Sequence, residues 1–317
     1  MVVHVVVLVR SILAAIISFA MAYSGLKKQS LDISGCIAAV FVGFTALACS
    51  YRFGIILILF YYSSSKLTKY KSSEKMKIEE GHVIGGNRNY IQVFANSILA
   101  TIVAIVYFFV CGEDENISFA ANSDTNDVIS FYFLQEIPRK QFAAICWATY
   151  IAHYATANGD TWASELGVLS KQKPRLVTSF FLREVPPGTN GGMSLLGTVA
   201  SLLGGGFIGL IFWAMSFFEY SQLPMVAAGL LYGLLGSLVD SILGATLQAS
   251  YYNKEKKLIV KSKYLPHSRH VDKDVILVSG IDFVTNEFVN FLSILIMMVL
   301  SLWLTPIIFC GMNKTHC

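Results

Sequence analysis

Apolar residues gather along the 317-residue chain in eight runs, at roughly 2–24, 35–49, 53–65, 91–111, 141–157, 193–218, 225–248 and 285–311, separated by segments rich in charge, Gly and Ser. A run of about 20 apolar residues matches the hydrocarbon thickness of a bilayer, and a helix satisfies its own backbone hydrogen bonds there. The pattern predicts an all-α polytopic membrane protein with about eight transmembrane helices, organised as one integral membrane domain over 1–317. The second and third runs are short, so they form either a tight hairpin or a re-entrant pair. The first run carries Arg10 and has no small-residue cleavage site before Gly25, and is read as a retained span rather than a signal peptide. Gly204, Gly205, Gly206 and Gly209, with Gly229 and Gly233, read as positions of close helix packing.

Composition agrees: 55% of residues are apolar and 14% charged, against about 25% charged in a soluble domain. Four connecting segments, 25–34, 66–90, 158–192 and 249–284, hold 19 of the 24 Lys and Arg residues, which makes them cytosolic by the positive-inside rule. The segment 112–139 is acidic, and the two glycosylation sequons, Asn116-Ile117-Ser118 and Asn313-Lys314-Thr315, fall on its side of the membrane. Both termini are therefore expected to be non-cytosolic, in an endomembrane such as the endoplasmic reticulum. The six cysteines form no C-x-x-C pair, against a zinc site or a disulfide framework. With a net charge of +4 and basic residues interleaved with acids, membrane lipids are the expected partner and nucleic acid is not.

Polar groups that resist this pattern mark candidate chemistry. Asp240 is the only acid in the seventh run, where a carboxylate costs several kcal/mol and needs a partner or a function. Asp160 and Glu165 follow the fifth run. Five residues apart, they lie about 140° apart on a regular helix and meet one site only if the helix breaks or each uses a different edge; the plain alternative is a helix cap and a solvated Glu. Pro186-Pro187-Gly188-Thr189-Asn190-Gly191-Gly192 resembles an anion cradle, a Gly-rich turn feeding a helix N-terminus, though an ordinary turn reads the same way. Lys66 and Lys69 close the third run, as phosphate ligands or topology anchors. Arg88, Gln92 and Asn96 open the fourth, the last two repeating at i+4 on a membrane helix. Acids suited to Mg²⁺, an anion loop and cations on one membrane face form a parts list for handling a nucleotide and a phosphorylated lipid.

Six motifs carry a resemblance: Lys27-x-x-Ser30-Leu31-Asp32-x-Ser34-Gly35, Ser64-Ser65-Lys66-Leu67-Thr68-Lys69, Asn87-Arg88-Asn89-Tyr90-x-Gln92-Val93, Gly159-Asp160-Thr161-Trp162-Ala163-Ser164-Glu165, Pro187-Gly188-Thr189-Asn190-Gly191-Gly192 and Asp240-Ser241-x-Leu243-Gly244-Ala245. In this order they resemble the transmembrane protein 19 family, which includes the phytyl phosphate kinases. The resemblance implies a kinase that transfers the γ-phosphate of a nucleoside triphosphate, apparently CTP, to a prenyl phosphate. On that expectation Asp160, Glu165 and Asp240 carry Mg²⁺, with Lys66 among the catalytic groups. Lys69 and Arg88 hold phosphates, Gly188, Thr189, Asn190 and Gly191 cradle the nucleotide, and Gln92, Asn96 and Asn286 orient substrate, with the prenyl tail between the Gly-rich helices. A phosphate monoester, with a second pKa of about 6, is already ionised at neutral pH and needs no general base; no histidine forms an obvious dyad with an acid. The alternatives are a CTP-dependent lipid cytidylyltransferase, a non-enzymatic carrier of a phosphorylated lipid, and a catalytically silent scaffold.

Overall fold

The computed structural model describes residues 2–80, 85–112, 128–131, 134–261 and 274–312. Both sequons, the acidic residues from Glu113 to Asp127, and His82, His267, His270 and His316 lie outside the described residues. The described chain is mainly helical: α1 (Val2–Lys27), α2 (Ile33–Cys49), α3 (Tyr51–Lys69), a single turn α4 (Ser72–Lys75), α5 (Tyr90–Ala95), α6 (Ile98–Cys111), α7 (Arg139–Gly167), α8 (Leu195–Met215), α9 (Pro224–Leu247) and α10 (Asn286–Met312). Among the described residues four helical stretches, Val7–Lys27, Leu195–Met215, Tyr220–Leu247 and Asn286–Met312, are long and apolar enough to cross a membrane.

At 29 residues, α7 is the longest helix, about 43 Å at a rise of 1.5 Å per residue. Its Ala, Thr, Tyr, His and Asn content suits protein rather than lipid, and its neighbours are α3, α6, α8, α9 and α10. An aromatic core forms around it, with Phe53 stacked 4.3 Å from Trp147 and 4.2 Å from Tyr150. On the other flank its backbone meets α8 and α9. A Cβ on Gly159 would lie 2.7 Å from Gly233 Cα and 2.9 Å from Ser201 O, and one on Gly205 would collide with the Gly229 carbonyl. Only the absence of side chains lets three helices approach this closely.

Two polar groups cross-brace the bundle. Asn158 is fully buried; its Oδ1 accepts from Ser63 and Ser64 at 3.1 and 3.2 Å, and its Nδ2 donates to Gly204 O at 2.7 Å, tying α3, α7 and α8 together. The short second and third runs form a hairpin hinged on Ser50, whose N–H caps α2 and whose hydroxyl caps α3.

The structure departs from an uninterrupted all-α reading in two ways. The fourth run is two helices, because Asn96 and Ser97 turn their side chains onto the Gln92 and Val93 carbonyls and so compete with the helical ladder. Three of the connecting segments contain β-structure. Strands β1 (Val128–Phe131) and β2 (Leu134–Pro138) pair, as do β3 (Arg175–Leu176) and β4 (Gly192–Met193), while β5 (Ser250–Asn253) lies between β6 (Leu258–Lys261) and β7 (Val275–Ser279), antiparallel to both. β-branched and aromatic residues in β5 to β7 suit a pleated, half-buried surface. This sheet lies at the end of the bundle where α1, α3, α7 and α9 finish and α2, α5, α8 and α10 begin.

Replacing Gly205 by Leu is expected to lower the thermal unfolding midpoint in detergent, because overpacking a closed contact costs about 1–3 kcal/mol or more. The same replacement at Gly311, where a Cβ meets nothing within 4 Å among the described residues, is expected to leave it unchanged.

Candidate functional site

At that end lies a cavity of about 550 Å³, the size of a small-molecule site. Eleven of the thirteen residues singled out from the sequence line it: Asp160, Glu165, Asp240, Arg88, Gln92, Asn96, Gly188, Thr189, Asn190, Gly191 and Asn286.

The two carboxylates of α7 use different edges of an unbroken helix. Asp160 faces α9, accepting from Ser237 at 3.5 Å, and Ser237 sits one turn before Asp240. Asp240 in turn accepts from Ser293 of α10 at 3.1 Å. Oriented to satisfy both its ends, the Asn290 amide donates to Asp240 at 3.2 Å and to Asn286 O at 3.1 Å. No Lys or Arg among the described residues pairs with Asp160 or Asp240. Two carboxylates ringed by hydroxyls and an amide form a hard oxygen donor set that fits Mg²⁺.

Glu165 does not join them. It accepts from Lys75 at 2.6 Å, with the two side chains 17% and 3% exposed. The Lys75 ammonium is held further by the carbonyls of Leu67 and Thr68 at 2.8 and 3.5 Å. Among the described residues no three His, Cys, Asp or Glu side chains gather to hold a metal ion, so the expected set of three acids reduces to a pair.

Lys66 and Lys69 are corrected by the phase of α3. Its inward face presents Ser64, Ser65 and Thr68, leaving Lys66 exposed, and Lys69 donates to Lys28 O at 2.7 Å, capping the end of α1. The serine and threonine instead hold the arginine: Arg88 donates to Ser65 and Thr68, each at 3.2 Å. Its backbone is fixed against the first motif, with Asp32 N–H donating to Arg88 O and Arg88 N–H to Ser30 O, both at 3.0 Å. Asp32 also caps α2, and the bonds from the Gly35 amide and Ser34 hydroxyl hold its carboxyl below the usual carboxylate range.

Gln92 and Asn96 line the cavity but carry structural duties. Gln92 completes a capping box with Asn89 and donates to Glu287, and the Asn96 carbonyl bonds His153 Nε2 at 2.9 Å. The Gly-rich loop runs into β4 before Ser194 caps α8, so it does not feed the helix directly. Its Thr189, Asn190 and Gly192 amides are bonded to Pro186 O, Ser250 Oγ and Thr189 O; among the described residues those of Gly188 and Gly191 have no such partner. Gly191 (φ +74) abuts Ala245, where a Cβ would collide, and this contact presses the loop onto the last turns of α9. The tail's expected place between the Gly-rich helices is closed by their backbone contacts.

The arrangement uses all six motifs, and comparison with known proteins accounts for their order. The family described as integral membrane protein DUF92 matches residues 16–298. The chain belongs to that family. Protein PGR of Arabidopsis thaliana is 35% identical over 295 residues, 90% of this chain and 93% of that protein. The uncharacterized membrane protein MJ0933 of Methanocaldococcus jannaschii is 28% identical over 244 residues, 76% of this chain and 84% of that protein. Protein VTE6, chloroplastic, of Arabidopsis thaliana is 29% identical over 131 residues, 41% of this chain and 38% of that protein. No solved structure gives a significant match. The DUF92 match encloses every residue lining the cavity, from Ile17 to Asn290, and the resemblance to the transmembrane protein 19 family is borne out.

Sequence reasoning missed Lys75, Ser237, Asn290 and Ser293. The last two had a signal, since Asn286, Asn290 and Ser293 repeat at i, i+4 and i+7 along one face of the final span. Lys75 had none, being one of six cations in the 66–90 segment.

Lys75→Met or Glu165→Leu alone is expected to cost about 3–5 kcal/mol by stranding a buried charge. The double replacement should recover most of that loss, which a thermal-unfolding cycle on the four proteins in detergent measures directly.

Proposed function

We propose that this protein is an isoprenyl-phosphate kinase, transferring the γ-phosphate of a nucleoside triphosphate, CTP by the family resemblance, to a membrane prenyl phosphate. The observation that carries this reading is the pair Asp160 and Asp240, facing each other from α7 and α9 with no basic partner among the described residues, in a cavity that also holds Arg88. Such a pair is costly at membrane depth, and a bound cation offsets that cost. Mg²⁺ held there would neutralise and orient the transferring phosphates.

The remaining roles follow from the hydrogen bonds. A guanidinium has five N–H donors, and Arg88 spends one on Ser65 and one on Thr68, leaving others for phosphate oxygens. Lys75 contributes field rather than a free donor, because Glu165 and two carbonyls occupy its ammonium. The Gly188 and Gly191 amides are available to nucleotide phosphates, and Asn286 is placed to orient substrate. A lipid phosphate oxygen attacks the γ-phosphorus, the bond to the β-phosphate breaks, and no base is required of the protein. Among the described residues no histidine lines the cavity.

The topology assigned to this reading has eight crossing segments in one integral membrane domain, with the cavity facing the cytosol. At 17 and 19 residues, α2 and α3 measure about 25 and 28 Å, close to the roughly 30 Å hydrocarbon thickness. The basic connections lie at the cavity end, which by the positive-inside rule is the cytosolic side of an endomembrane such as the endoplasmic reticulum.

Purified protein given prenyl phosphate, γ-labelled CTP or ATP, and Mg²⁺ is expected to yield labelled prenyl diphosphate. Asp240→Asn and Asp160→Asn should each lower turnover at least about a hundredfold, the scale of losing a charge-stabilising group, and EDTA should abolish it. No diphosphate with any nucleotide overturns the kinase reading, and CDP-lipid with pyrophosphate replaces it with cytidylyl transfer.

A further inference from the structure

The cavity is not uniformly polar. From the Arg88 and Thr68 end it continues as an apolar arm between α1, α2 and α3, lined by Ile17 and Met21, by Ala39 and Gly43, and by Leu57 and Tyr61. On α2 its lining runs from Ala39 to Leu47 and on α3 from Thr68 to Leu57, while Gly35, one turn before Ala39, lies against the Arg88 backbone. At 1.5 Å per residue, counted from Gly35 and from Thr68, the far end lies about 16–18 Å from the level of Arg88. One wall is sealed where α1 and α2 meet, since a Cβ on Gly43 would lie 3.1 Å from Ser18 Oγ. Outside this contact α1 is little covered, with only 17% of its apolar window buried in the protein, so α1 alone separates this side of the arm from the surroundings.

We infer that this arm binds the single apolar chain of the lipid phosphate and sets its length, at three to four isoprene units. The inference rests on the proposed kinase reading for the identity of the phosphate head, while the arm itself rests on the lining of α1 to α3. An extended chain advances about 1.2 Å per bond, so an isoprene unit of four chain bonds measures about 5 Å and three fill about 15 Å. Two-chain lipids do not fit a slot sealed on its α1–α2 side. The chain enters between α1 and α3, away from that seal, and its phosphate stops at Arg88, beside Asp160 and Asp240.

Binding is read without nucleotide, so that it is independent of turnover: native mass spectrometry on the detergent-solubilised full chain, with prenyl monophosphates of two to eight units and phosphatidic acid as the two-chain competitor. Affinity is expected to rise at least tenfold from two units to four and then to level off, with phosphatidic acid failing to compete. Ala39→Leu, which narrows the arm near its mouth, should remove the advantage of four units over two while two-unit binding stays within about threefold; Leu57→Phe, at the far end, should remove only the step from three to four. A flat length profile, continued gain beyond five units, equal competition by phosphatidic acid, or an unchanged profile in both folded variants overturns the assignment. A length profile of the expected shape without phosphotransfer leaves the arm standing and removes the kinase reading; phosphotransfer with a flat profile does the reverse.

Discussion

The backbone contact of α7 with α8 and α9 at Gly159, Gly205 and Gly233 sets the geometry of the rest. Helices carrying ordinary side chains stand 8–10 Å apart; here a single methyl would already strike the neighbouring main chain. Asp160 is the residue after Gly159, and Ser237 and Asp240 are one and two turns beyond Gly233. Closing the glycine seam therefore brings Ser237 onto Asp160 and sets the two carboxylates into one cavity. The charge problem at that point follows from the packing, because the helices cannot separate to hydrate the acids without opening the seam. On the proposed reading a bound cation supplies the compensation.

How far this was legible in the sequence varies with the physics of each residue. Asp240 stood out because an acid in an apolar run has few inexpensive explanations. Arg88 and the Gly188 to Gly191 loop were found because glycine and lone cations at span ends are conspicuous. Lys66 and Lys69 misled, since a basic residue at the end of a helix caps carbonyls as readily as it binds phosphate, and Lys69 does so on α1. Glu165 was placed with the metal because nothing in the sequence says that α4, a single turn, folds under α3 and delivers Lys75. The break at Asn96 and Ser97 depends on side chains bonding carbonyls four residues back, a local competition that apolar periodicity does not register. Strands β5 to β7 hid among charges that read as a cytosolic loop.

The structure divides into a closed side and an open one, and α3 belongs to both. Its outer half, from Leu57 to Tyr61, lines the apolar arm, and its last turns carry Ser64, Ser65 and Thr68 toward Arg88. Ser63 and Ser64 bond Asn158, two residues before Asp160, so the register of α3 against α7 is fixed beside the carboxylates. The distance from the arm to the acids is thereby set by hydrogen bonds to one buried amide rather than by apolar contact, which tolerates sliding. On the proposed kinase reading, a lipid head delivered along α3 stops where Arg88 meets it and where Asp160 and Asp240 are in reach. The run of three serines at the end of α3 is best understood as that spacer, joining a lipid-facing helix to the helix that bears the acids.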